Sequence, residues 1–132
     1  MTKAQILVVE DDAIVAQDLK NRLTGMGYFI ICVTSTGEDA VEKARHHRPD
    51  VVLMDIRLAG EMDGIAAAAV IGEQYHIPVI YLTSYSDDET LSRARETRPA
   101  GYVLKPFDPR NLYVAIEMAL YSRPQPLESS IS

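Results

Sequence analysis

At 132 residues, 47% of them hydrophobic and 24% charged, the chain has the length and composition of one ordinary water-soluble domain with its own core. A formal net charge of −6 argues against a bare nucleic-acid or anionic-membrane surface. The single cysteine, Cys32, can form no internal disulfide and reads as a small core residue in an apolar segment. The apolar run that follows Met1-Thr2-Lys3 is too short for a signal peptide or a membrane span. A cytoplasmic protein that meets neither membrane nor nucleic acid directly is the expectation.

Strand and helix signals alternate five times along the chain. Ile6-Leu7-Val8-Val9 is a continuous apolar run followed by Glu10-Asp11-Asp12, with Asp12 placed to cap a helix. From Ala13 to Leu23 the apolar positions have helical spacing, and Gly25 and Gly27 mark the exit. Tyr28 to Val33 is a second strand. Ser35-Thr36-Gly37-Glu38 matches a capping box for a helix reaching His46, which Pro49 ends. Val51-Val52-Leu53-Met54 is the run of a strand buried on both faces, and it stops on a carboxylate, Asp55.

Asp63-Gly64 introduces a third helix, Ile65 to about Tyr75, whose alanine run suits close packing on a sheet and whose Gly72 weakens its later half. Pro78 opens the fourth apolar run, Val79 to Leu82, which ends on Thr83-Ser84. Ser86-Asp87-Asp88-Glu89 is a second capping box, for a helix to about Thr97 stopped by Pro99. Gly101 to Leu104 is a short fifth strand ending on Lys105-Pro106, and Asp108-Pro109 caps a last helix to about Tyr121. Five β-α units with short connections imply a parallel sheet with helices on both faces. One domain, residues 1–122, is expected, and 123–132 has the Pro- and Ser-rich composition of a flexible tail or the start of a linker.

The chemistry emerges from the strand ends. Glu10 and Asp11 follow the first strand, Asp55 ends the third, Thr83 the fourth, and Lys105 follows the fifth. In a parallel sheet these ends share one edge, where α/β folds bind ligands. Carboxylates gathered there repel one another unless a cation sits among them, and all-oxygen ligation suits Mg²⁺. His46 and His47 lie away from this edge, which argues against zinc. A carboxylate so neutralised can act as a nucleophile toward a phosphoryl group, with the Thr83 hydroxyl and Lys105 ammonium meeting its oxygens. An aspartate after a strand is by itself more often a turn or cap residue. Asp55 stands out through its company.

Val8-Val9-Glu10-Asp11-Asp12, Leu53-Met54-Asp55-Ile56, Leu82-Thr83-Ser84 and Gly101-Tyr102-Val103-Leu104-Lys105-Pro106-Phe107 resemble the signatures of response-regulator receiver domains over about residues 4–121. The resemblance implies a flavodoxin-like (βα)5 three-layer sandwich with strand order 2-1-3-4-5, an order for which a receiver protein is itself a standard example. It implies that Asp55 accepts a phosphoryl group from a phosphohistidine on a sensor histidine kinase, so that the protein is a signalling phosphoacceptor in a two-component phosphorelay rather than an enzyme with an external substrate. Asp11, Asp55 and the Arg57 backbone carbonyl would bind Mg²⁺, with Glu10 helping through water. Thr83 and Lys105 would contact the phosphoryl oxygens, and Tyr102 matches the switch aromatic that turns inward as Thr83 moves. The Lys105-Pro106 bond would be cis. The fourth helix, fifth strand and fifth helix, with Arg93, Arg95, Tyr102 and Tyr113, would meet a downstream partner or a second copy.

Two departures from the family pattern stand out. The loop from Arg57 to Gly64 has Ala59 where a proline is usual and is one residue longer, a form that looks like receivers associated with PAS-containing sensor kinases. Ser84 follows Thr83 where alanine or glycine is common. Arg57 and Tyr85 occupy positions that tune dephosphorylation in the family. Rival readings fit less well. A pseudo-receiver would not need the acidic pair with Thr83 and Lys105. A dehalogenase-type phosphatase needs an acid where Arg57 stands, and a flavodoxin needs a hydroxyl-rich loop where this chain is acidic. The chain is read as either a stand-alone receiver or the receiver end of a longer protein.

Overall fold

A computed structural model describes residues 3–84 and 88–122. Ten elements alternate along the chain: β1 (Gln5–Val9), α1 (Ala13–Gly25), β2 (Phe29–Thr34), α2 (Gly37–His47), β3 (Val51–Asp55), α3 (Gly64–Tyr75), β4 (Val79–Thr83), α4 (Asp88–Glu96), β5 (Gly101–Leu104) and α5 (Pro109–Ser122). The strands form one parallel sheet in the order β2-β1-β3-β4-β5, the flavodoxin-like arrangement expected.

Alternation along the central strands splits the core into two layers. Leu7, Val9, Val52, Met54, Val79 and Tyr81 face α2, α3 and Ala94 of α4. Ile6, Val8, Val51, Leu53, Ile80 and Leu82 face Leu19 and Leu23 of α1 and Leu112, Ile116 and Ala119 of α5. All five residues of β3 are buried, which accounts for its lack of a polar face. β2 is an edge strand and only partly covered; a register shift opposite Ile6/Leu7 brings Cys32 beside Leu7, half-buried against the core.

The caps follow the sequence in three places and depart from it in one. The Asp12 carboxylate accepts from the Ile14 and Val15 N–H groups (2.9 and 3.3 Å), Asp63 from Ala66 (2.8 Å) and Asp108 from Arg110 (2.9 Å). The cap of α2 is Thr36 rather than Ser35: its hydroxyl accepts from the Asp39 N–H at 3.1 Å, one residue later than the capping box predicts. The reason is non-local, because Thr36 also forms a parallel bridge with Ala59 of the β3–α3 loop. Arg48 and His76, both left-handed, close α2 and α3. Tyr113, expected on the output surface, packs against Tyr28 with ring centroids 6.2 Å apart. The capping box at Ser86, the residue Tyr85 and the segment 123–132 lie outside the described residues.

The loop from Arg57 to Asp63 is held at several points. Leu58 and Met62 pack on the core, Ala59 bridges Thr36, and Gly60 takes a positive φ of 97°. The first turn of α3 lies hard against the end of β3: a Cβ at Gly64 would fall on the Asp55 carbonyl oxygen, and the Gly64 N–H donates to the Ile56 carbonyl at 2.9 Å. Only glycine permits so close an approach.

Candidate phosphoacceptor and metal site

The carboxyl ends of β1, β3, β4 and β5 converge as the parallel order requires. Glu10, Asp11, Asp55, Arg57, Thr83 and Lys105 all line one cleft of about 330 Å³. Glu10 (3% exposed), Asp55 (7%) and Thr83 (6%) are buried, whereas Asp11 is exposed at the mouth. The Lys105 ammonium spans two of the acids, 2.8 Å from Glu10 Oε1 and 3.2 Å from Asp55 Oδ2. Asp55 Oδ1 accepts from the Arg57 N–H at 3.2 Å, and Glu10 Oε2 accepts from the Asp12 N–H at 3.1 Å. The Lys105 N–H donates to the Thr83 carbonyl at 2.8 Å, which locks the end of β5 to that of β4, and the Lys105-Pro106 bond is cis as expected.

Burial and charge act against each other in this cleft. Burial pushes the Glu10 carboxyl above its ordinary range, further than the Lys105 ammonium and the Asp12 amide pull it back, and neighbouring Asp55 adds to the rise. For Lys105 burial lowers the ammonium, but Glu10 and Asp55 together outweigh it and hold the group above its usual value. Lys105 thus serves as the resident counter-ion of the acids. Its pairing with Glu10, shorter than that with Asp55, is a contact no sequence pattern announced.

Ligand oxygens of Glu10, Asp11 and Asp55 lie within 4.8 Å of one another, the one such metal-competent group among the described residues. Hard oxygen donors, two of them on buried residues beside an open mouth, fit Mg²⁺, which keeps waters and takes few protein carboxylates. Tyr102 lies outside this cleft, 40% exposed, its ring 5.9 Å from that of the fully buried Tyr81.

Residues 6–117 match the response regulator receiver domain family. The chain belongs to that family. Receiver domains are signalling phosphoacceptors that work with sensor histidine kinases, and this one carries the acidic Mg²⁺-binding pocket of Glu10, Asp11 and Asp55. Among similar proteins is the transcriptional regulatory protein PdtaR of Mycobacterium tuberculosis, 37% identical over 116 residues that cover 88% of this chain and 56% of that one. The chain spans about half the length of the first curated relatives it matches. The signal receiver domain of a modulated diguanylate cyclase from Desulfovibrio desulfuricans G20 superposes with a TM-score of 0.87 at 38% identity, over 91% of this chain and 95% of that one. The receiver domain of the sensor histidine kinase PA1611 from Pseudomonas aeruginosa PAO1, which has a magnesium ion coordinated in its active-site cleft, superposes with a TM-score of 0.83 at 27% identity, over 92% and 100%. Among the described residues no helix is long and apolar enough to cross a membrane.

Proposed function

We propose that Asp55 takes a phosphoryl group from a phosphohistidine on a sensor histidine kinase and that the charge so placed switches a partner-binding surface. The observation that carries this reading is the state of Asp55: buried, with Oδ1 on the Arg57 N–H and Oδ2 on Lys105, in a cleft that also holds Thr83 and the acidic pair. An Asp55 carboxylate oxygen attacks phosphorus, the phosphorus–nitrogen bond of the donor breaks, and the imidazole departs with the bonding pair and takes a proton. Glu10, Asp11, Asp55 and the Arg57 carbonyl are the candidate ligand set for Mg²⁺, Glu10 through water. When bound, the ion offsets the carboxylate charge and draws charge from the phosphoryl oxygens. Lys105, freed from Asp55 Oδ2, and the Thr83 hydroxyl meet those oxygens. Tyr102 then turns inward from its outward position, and the inward state gains because phosphate binds it better.

The output surface of this reading is α4-β5-α5, where Tyr102, Leu104 and Met118 stand exposed. It serves a downstream protein, an output domain or a second copy. Residues 1–122 act as the receiver unit and 123–132 as tail or linker, in the cytoplasm. The long, proline-free loop after Asp55 favours a kinase of the PAS-containing kind. Asp55→Asn, incubated with Mg²⁺ and a phosphohistidine kinase or a small acyl phosphate, is expected to lose labelling altogether. Labelling equal to that of the native protein would remove Asp55 as the acceptor.

A further inference from the structure

α4 is the least anchored helix of the fold. Of its nine residues only Ala94 is buried, and its first turn is acidic and exposed. Two of its polar contacts link it to the rest of the fold at informative places. Near its middle, Arg93 Nη2 lies 3.1 Å from Asp63 Oδ2. Beyond its end, Thr97 Oγ1 donates to the Ala94 carbonyl (2.6 Å), which spends the hydroxyl proton, so Tyr81 is the donor in the 2.7 Å pair between its hydroxyl and Thr97. The ring of Tyr81 in turn lies beside that of Tyr102.

Asp63 stands at an informative place. Its other oxygen, Oδ1, caps α3, and the next residue is Gly64, pressed on the Asp55 carbonyl. The two carboxylate oxygens therefore hold two elements: Oδ1 fixes the helix that abuts Asp55, and Oδ2 reaches across to α4. From Asp55 a continuous run of contacts passes through Gly64, Asp63 and Arg93 into α4, and out through Thr97 and Tyr81 to Tyr102. We propose that the Asp63–Arg93 ion pair is a latch that holds α4, and through it the ring of Tyr102, in the outward arrangement seen here. This inference rests on the reading of Tyr102 as the switch residue. It adds a second connection between the phosphoacceptor loop and the output face, separate from the Thr83 route.

Both side chains are partly exposed, 37% for Asp63 and 52% for Arg93, so the latch is a weak one. Exposed pairs shift a two-state equilibrium by roughly two- to fivefold. That is enough to set the resting population of a loosely held helix without blocking its movement.

The test uses the whole chain, unphosphorylated. Asp63→Asn keeps a good cap for α3 while removing the charge that faces Arg93, and Arg93→Gln leaves the cap untouched. Each single variant is expected to speed amide exchange across 88–96 by roughly two- to fivefold, the double variant to go no further, and Arg93→Lys to stay near the native rate. The ring resonances of Tyr102, isotopically labelled, are expected to move toward a buried environment in the singles. Additive effects in the double, native exchange rates in the singles, or an unmoved Tyr102 ring would each overturn the latch. None of these readouts needs phosphate, so a failure of Asp55 to accept a phosphoryl group would sink the proposed function and leave the latch to be decided on its own data.

Discussion

The two flanks of the cleft are built differently. On the phosphoacceptor side, β3 is buried throughout and α3 begins in backbone contact with Asp55, with no room for even a methyl group between them. On the Tyr102 side, α4 buries one residue and β5 leaves Tyr102 and Leu104 exposed. Under the proposed function, a rigid flank would keep Asp55, the Lys105 ammonium and the acidic pair in register, as group transfer requires. Under the same proposal, a loose flank would let a small change in charge be read as a change in shape, because little packing must be undone. Lys105 joins the two: its backbone is tied to β4 while its ammonium reaches Glu10 and Asp55.

The contrast can be broken most forcefully from the rigid side. Gly64→Ala drives a methyl into the Asp55 carbonyl, and either β3 or α3 must retreat. The expected cost is about 1–3 kcal/mol in urea unfolding, together with weakened Mg²⁺ binding as Asp55 shifts. Native stability and affinity in this variant would show that the flank yields more easily than the packing implies.

Tyr81→Phe strikes the joint between the flanks. Removing a hydroxyl bonded to Thr97 should cost about 0.5–1.5 kcal/mol at neutral pH. It should also change the alkaline limb. Burial above all pushes the Tyr81 hydroxyl from 10.0 up to about 12. A folded-state value raised above the unfolded one contributes stability that is complete below pH 10 and lost as pH climbs toward 12. Urea midpoints measured from pH 9 upward should therefore fall less steeply in the Phe variant. Parallel curves would count against a buried, bonded hydroxyl.

The smallest effect has the opposite sign. Because burial holds the Glu10 carboxyl above its ordinary value, its contribution to stability is present at acid pH and lost as pH rises through the folded value. At neutral pH, without a cation, the ionised group is a cost. Glu10→Gln should raise the unfolding free energy of the Mg²⁺-free protein at pH 7, read from urea titrations, by less than about 0.5 kcal/mol while binding Mg²⁺ less well. A loss of stability in the metal-free variant would mean that the Lys105 pair dominates instead.

Much of this was legible in the chain itself. Five apolar runs, each followed by a helical period, leave few topologies, and the right-handed parallel crossover selects among them. Once the order is known, Glu10, Asp11, Asp55, Thr83 and Lys105 must share an edge, since each sits at a strand's carboxyl end. Local chemistry was equally readable where it stayed local, as at the caps Asp12, Asp63 and Asp108.

Wherever a residue's partner is distant in sequence, only the tertiary structure decided. Thr36 displaces Ser35 as the cap of α2 because Ala59, far along the chain, pairs with it. The loop from Arg57 to Gly64, unusual by its sequence, is held because Leu58 and Met62 find the core and Thr36 finds Ala59. That Gly64 is glycine for the sake of the Asp55 carbonyl, that Lys105 leans toward Glu10, and that Asp63 serves both α3 and α4 are likewise facts of proximity. Periodicity records which face of an element is apolar. Which atoms then meet across the fold is set by how those faces close on one another.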